Sequence, residues 1–108
     1  MMGLLEQWQD EIKQCNIAHG WRNEDGTPNV TFGEAMALLH SEVSEALDAY
    51  RVSGVDDQTT SGKPEGVGSE FADVLIRLLD DCDCWGIDLK SEVERKLAYN
   101  WTRSYRHG

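Results

Sequence analysis

The chain has 108 residues, 40% of them hydrophobic and 28% charged, with 20 acidic side chains against 10 basic ones and a net charge of −10. This length suits one domain spanning residues 1–108, and no stretch approaches the roughly 20 apolar residues of a membrane helix. The acidity disfavours a nucleic-acid polymer as partner and suits a protein that gathers divalent cations, although solubility alone also accounts for it.

The first residues, Met1-Met2-Gly3-Leu4-Leu5-Glu6, lack a basic region followed by an apolar run, so no secretion signal is read there and a cytoplasmic location is expected. Leu5, Trp8, Ile12 and Cys15 recur at helical spacing and predict a first helix over about Leu4 to Ala18. A turn-rich stretch follows from Gly20 to Pro28. Thr31 and Glu34 have the spacing of a capping box and predict the start of a second helix. It runs through Phe32, Met36, Leu39, Val43, Leu47 and Tyr50.

The segment from Ser53 to Gly66 is long for a helix connection, which usually takes about 2–8 residues. Such loops serve as functional lids or are simply mobile. The third helix is predicted over about Val67 to Trp85, with Phe71, Leu75, Leu78 and Cys82 as its stripe. The fourth starts after Asp88, a favourable N-cap, and carries Leu89, Val93, Leu97 and Trp101. The fold class expected is all-α, a bundle of about four helices without strands. Cys15, Cys82 and Cys84 are read as reduced packing residues. Cys82 and Cys84, two apart, point roughly 200° apart on a helix and do not suit one metal ion.

Projected at about 100° per residue, the second helix puts His40, Ser41, Ser44, Asp48 and Arg51 on its polar side. Glu42 and Glu45 fall instead among Ala35, Leu38, Leu39, Val43, Ala46 and Ala49. Carboxylates on an inward face are costly unless compensated, and a hard divalent cation with oxygen ligands is the natural compensation. The third helix repeats the spacing with Glu70 and Asp73, on a narrow stripe with Arg77, Asp80 and Asp81. Alone, that stripe reads as a solvated face. Beside Glu42 and Glu45, the Glu70 and Asp73 pair becomes the second half of a site for one or two Mg²⁺ ions.

The fourth helix offers the opposite chemistry. Lys96, Asn100, Arg103 and His107 share one face and can donate to phosphate oxygens. A solvated basic face at a helix C-terminus is the plainer alternative. Lys63 in the long loop is a further phosphate candidate. Trp21, among His19, Arg22 and Asn23, is the aromatic residue best placed to wall a base pocket. No Walker A sequence, GxGxxG or H-E-x-x-H pair occurs.

Glu42-x-x-Glu45, followed after 24 residues by Glu70-x-x-Asp73, resembles the metal-binding signature of the all-α nucleoside triphosphate pyrophosphatases. The text is similar to that of MazG-like nucleotide pyrophosphohydrolases. Supporting pieces are Phe32-Gly33-Glu34, the run from His40 to Leu47, Lys63-Pro64-Glu65-Gly66, the run from Glu70 to Arg77, and Lys96-Leu97-Ala98-Tyr99-Asn100 with Arg103. Ser41 stands where many members carry a further glutamate, which leaves the four metal ligands untouched. The resemblance implies hydrolysis of a nucleoside triphosphate, a dNTP or a non-canonical NTP, to the monophosphate and pyrophosphate. It implies Mg²⁺, with Mn²⁺ as a substitute, on Glu42, Glu45, Glu70 and Asp73. Glu42 or Glu45 would serve as general base. Lys96, Tyr99, Asn100 and Arg103, with Lys63 and Trp21, would hold substrate, and the chain would assemble as a homodimer or homotetramer. The rival expectation is a helical bundle that binds nucleotides or a protein partner without turnover.

Overall fold

A computed structural model of the chain describes residues 1–106, and His107 of the basic face lies outside them. Four helices follow in order: α1 (Leu4–Ala18), α2 (Phe32–Ser53), α3 (Val67–Cys84) and α4 (Leu89–Asn100). Among the described residues there is no strand, only isolated bridges between Arg22 and Pro28 and between Thr60 and Lys63. The expected all-helical bundle is therefore observed. Among the described residues, no helix is long and apolar enough to cross a membrane.

The helix starts follow local chemistry. Thr31 Oγ1 accepts from Glu34 N at 3.1 Å, and Glu34 Oε1 accepts from Thr31 N at 3.4 Å, closing the capping box. Asp88 accepts from Ser91 N and Ser91 Oγ, which caps α4 and holds the Asp88 carboxyl below its usual range. Gly66 precedes α3 with φ 107°, and a Cβ there would lie 3.0 Å from Asp56 O and 3.1 Å from Gln58 N. Only glycine accommodates both constraints. The 54–66 loop closes on itself, with Gln58 N donating to Glu65 O and Gln58 Nε2 to Ser53 Oγ.

The principal packing is α2 against α3, with α1 lying on α3 and no comparable packing made by α4. Ala35 and Ala46 of α2 meet a core completed by Val67, Leu79 and Cys82 of α3. Gln9 of α1 reaches across to donate to Leu79 O at 3.0 Å. Phe32 and Trp85 stack edge to face, 5.3 Å between centroids, and tie the start of α2 to the end of α3.

The acidic stripe of α3 is not a solvated face: Glu70, Asp73, Arg77, Asp80 and Asp81 are all part-buried. Two sequence expectations need correction. Much of the apolar stripe is outside instead, with Phe71 62% exposed and Leu75 and Ile76 also exposed. The same holds for Val43, Leu47 and Tyr50 on α2 and for Val93, Leu97 and Trp101 on α4. Leu79 and Cys82 of α3 are covered, whereas Phe71, Leu75 and Ile76 keep much of their surface open in this chain. Cys15 is exposed rather than packed, whereas Cys82 is buried and Cys84 part-buried.

The open surface is large. The chain exposes 8053 Å², against about 6,100 Å² for a compact monomer of this mass. Its radius of gyration is 16.1 Å, against about 13 Å for a compact domain of this length.

Candidate metal centre between two helices

Glu42 sits on the buried line of α2 between Ala35 and Ala46 and is only 7% exposed. One turn on, Glu45 leans toward the same gap from an exposed position. From α3, Glu70 and Asp73 enter with the same three-residue spacing. A carboxylate oxygen from each of Glu42, Glu45 and Glu70 lies within 4.8 Å of the other two. Three like charges at this separation repel strongly where water is scarce.

The electrostatics record that crowding. Burial raises the Glu70 carboxyl, and a hydrogen bond and charge from Glu45 raise it further, followed by Asp73 and Glu42. Asp73 is raised by burial and then by Glu42, against a smaller opposing pull from Arg77. Asp73 stands next to this set but outside the tightest triad. Glu42 Oε2 and Glu70 Oε2 are buried and have no hydrogen-bond partner. Orphaned buried oxygens are exceptional in folded proteins, and each needs a proton, a water or a cation.

The donor set is compatible with a hard divalent cation. It consists of oxygens alone, and ligands at about 2.0–2.1 Å on an octahedral ion lie about 3–4 Å from one another. One competitor is built in: Arg77 Nε donates to Glu42 Oε1 at 2.8 Å. It uses one oxygen of Glu42 and leaves Oε2 open.

Beside the acids lies a cavity of about 310 Å³, with Glu42 and Asp73 on one wall. Trp21, Arg77, Asp81 and Trp85 close much of the rest. Trp21 reaches it because Arg22, its neighbour, is pinned. Arg22 is 3% exposed, and its guanidinium donates to Asp80 Oδ1, Asp83 Oδ2 and Gly26 O. The turn from Gly20 to Pro28 is thereby fastened to α3. Arg77 also lies over the Trp21 ring, 5.6 Å from its centroid, and so connects the acid cluster to the aromatic wall.

The remaining residues expected at the site stand elsewhere. Lys63 is exposed and paired with Glu65 at 3.5 Å. Lys96 and Arg103 flank the Tyr99 ring at 5.8 and 5.6 Å, so the basic face of α4 is a physical cluster. Asn100 on the same helix is part-buried, with Oδ1 buried and unpartnered. None of these residues lines the cavity beside the acids.

Sequence reasoning missed Arg22, Arg77, Asp81, Cys84 and Trp85 as parts of this region. Burial pushes Asp81 up to about 6 and Cys84 up to about 11, each reinforced by Asp80. Their shared period along α3, with Arg77 four residues before Asp81, was the available signal. Arg22 gave none, since a lone arginine in a polar turn reads as solvated.

Comparison of the chain with protein-family models, curated proteins and solved structures finds no match.

Proposed function

We propose that the protein is a Mg²⁺-dependent nucleoside triphosphate pyrophosphohydrolase of the MazG-like kind. The observation that carries this reading is the Glu42–Glu45–Glu70 triad, with its oxygens clustered and two of them buried without partners. The motif resemblance supplies the reaction class.

When bound, Mg²⁺ neutralises triphosphate charge and acts as a Lewis acid toward the α-phosphoryl group. Glu42, Glu45 and Glu70 would hold it, with Asp73 completing the set. The chain's own chemistry is acid–base and positional. Glu45, the exposed member of the triad, takes the proton of a water that attacks the α-phosphorus. The bond from the α-phosphorus to its bridging oxygen breaks, pyrophosphate leaves, and the monophosphate remains. Arg77 steadies Glu42 during this step. Lys96, Asn100 and Arg103 present donors suited to phosphate oxygens.

The same reading includes assembly with further copies of the chain, as a homodimer or homotetramer. The excess surface of roughly 2,000 Å² per chain over a compact monomer corresponds to about 4,000 Å² across two copies, within the range of obligate homodimer interfaces. The apolar residues exposed on α2, α3 and α4 supply its chemistry. Assembly also offers a way for the basic end of α4 to approach an acidic cluster.

The experiment is pyrophosphate release from a panel of canonical and modified NTPs and dNTPs, with Mg²⁺, with Mn²⁺ and with EDTA. Metal-dependent release from any member supports the reading. A second reading, a bundle that binds nucleotides without turnover, is favoured by the absence of Lys96, Asn100 and Arg103 from the cavity lining. Saturable nucleotide binding without pyrophosphate would select it.

A further inference from the structure

The cavity beside the acids holds groups that metal binding does not use. Trp21 and Trp85 provide aromatic surface, and Asn16 and Asp81 provide polar atoms. Asp81 Oδ2 is sealed from solvent and has no hydrogen-bond partner. Its neighbour Asp80 is paired with Arg22 through Oδ1, so the two adjacent carboxylates do different work. A lone buried acceptor costs free energy until a donor reaches it.

We propose that this cavity receives the nucleobase, and that Asp81 selects bases bearing an exocyclic amine on the pairing edge, as in 4-aminopyrimidines and 6-aminopurines, over their keto counterparts. The proposal rests on the nucleotide reading of the adjacent acid cluster. A volume of about 310 Å³ accepts a planar ring with space left over. Trp21, braced by Arg77, gives the ring a stacking face, and such stacking is indifferent to base identity. Selection therefore falls to the polar lining. A turn about the Cβ–Cγ bond of Asp81, a soft torsion, presents either oxygen to the ring edge. An amine donates to that oxygen. A keto oxygen in the same place meets it lone pair to lone pair. Asn16 carries both a donor and an acceptor and tolerates either edge.

Two pairs of substrates exchange the amine for a keto oxygen, the adjacent ring nitrogen gaining a proton in each exchange: dCTP with dUTP, and dATP with dITP. At pH 8, where the Asp81 carboxyl is ionised, kcat/KM for the amino member of at least one pair is expected to exceed its keto partner by about ten- to a hundredfold, the range of a hydrogen bond to a charged group. Asp81→Asn and Asp81→Ala, checked for helicity by circular dichroism, should shrink that ratio to about threefold or less, the change falling mainly in KM. Trp21→Phe, which keeps an aromatic face, should preserve it. The monophosphates dCMP, dUMP, dAMP and dIMP, titrated by calorimetry into the protein without metal, read the cavity independently of hydrolysis. Amino-selective binding without turnover of any triphosphate sinks the hydrolase reading and leaves this one standing. Equal or keto-favouring ratios overturn the proposal, as does discrimination that survives Asp81→Asn. So does the absence of saturable binding of any monophosphate at millimolar concentration.

Discussion

Arg77 and Glu42 face each other across the α2–α3 interface, Nε to Oε1 at 2.8 Å, and so place a fixed cation beside the acids. The pair is unequal in its surroundings, since Glu42 is nearly closed off while Arg77 keeps part of its surface in water. Arg77 offsets part of the repulsion among Glu42, Glu45, Glu70 and Asp73 and leaves the remainder for a divalent ion. Mg²⁺ should accordingly raise the melting temperature, by mass action on the folded state. The rise should be absent in Glu42→Gln/Glu70→Gln, measured by scanning calorimetry with and without EDTA. An equal rise in that variant would remove the triad from consideration as the metal site.

Catalysis can be separated from metal binding at Glu45. Glu45→Gln keeps an oxygen for the ion and loses the base. Pyrophosphate release should fall by about a hundredfold or more, while the Mg²⁺-induced thermal shift stays within about half of wild type, a working threshold for retained ligation. Full activity with Mg²⁺ would take the proton-transfer role away from Glu45.

The metal-free protein should gain stability as pH falls from neutral toward 5. Asp81 is raised to about 6, and Glu70 and Asp73 are raised as well. The folded state therefore binds protons that the unfolded state releases, between the folded values and the ordinary carboxyl range of about 4. Stability contributed this way is present at the low end of that window and is lost as pH rises through the folded values. Asp25, Asp57 and Asp88 are shifted down and oppose the trend only below their ordinary values. Thermal melts in EDTA at pH 5 and pH 7.5 test this. Asp81→Asn should flatten the slope, and saturating Mg²⁺ should weaken it at Glu70 and Asp73.

Arg22→Ala should cost about 3–5 kcal/mol, because it strands Asp80 beside a vacated buried site. For a domain of this size the melting temperature would fall by more than about 10 °C. Chemical denaturation of the variant provides the value. A loss below 1 kcal/mol would mean that the turn from Gly20 to Pro28 is held by other contacts.

Gly66→Ala meets both a left-handed backbone and two backbone atoms near 3 Å. A loss of about 1–3 kcal/mol is expected, with the 54–66 loop more open to proteolysis. Gly68→Ala, which meets nothing within 4 Å, is the matched control. Equal behaviour of the two would discount the packing of Gly66 against Asp56 and Gln58.

The sequence determined the four helices and their starts, because caps and hydrophobic period are local: Thr31 with Glu34, and Asp88 with Ser91, act within one turn. It also determined that Glu42 and Glu45 are out of place, since helical projection sets them among the apolar residues of α2. The sequence could not decide which side of α3 faces inward. Its apolar stripe predicted one orientation, and the structure turns the acids inward with Phe71 and Leu75 outward. Burial is a property of the partner surface, and period alone carries no information about that partner. The Arg22–Asp80 and Arg77–Glu42 pairs join residues 58 and 35 positions apart. A pairing of that range exists only once α3 has been set against α2 and against the loop before it, so tertiary structure alone decided where the cavity lies and which side chains line it.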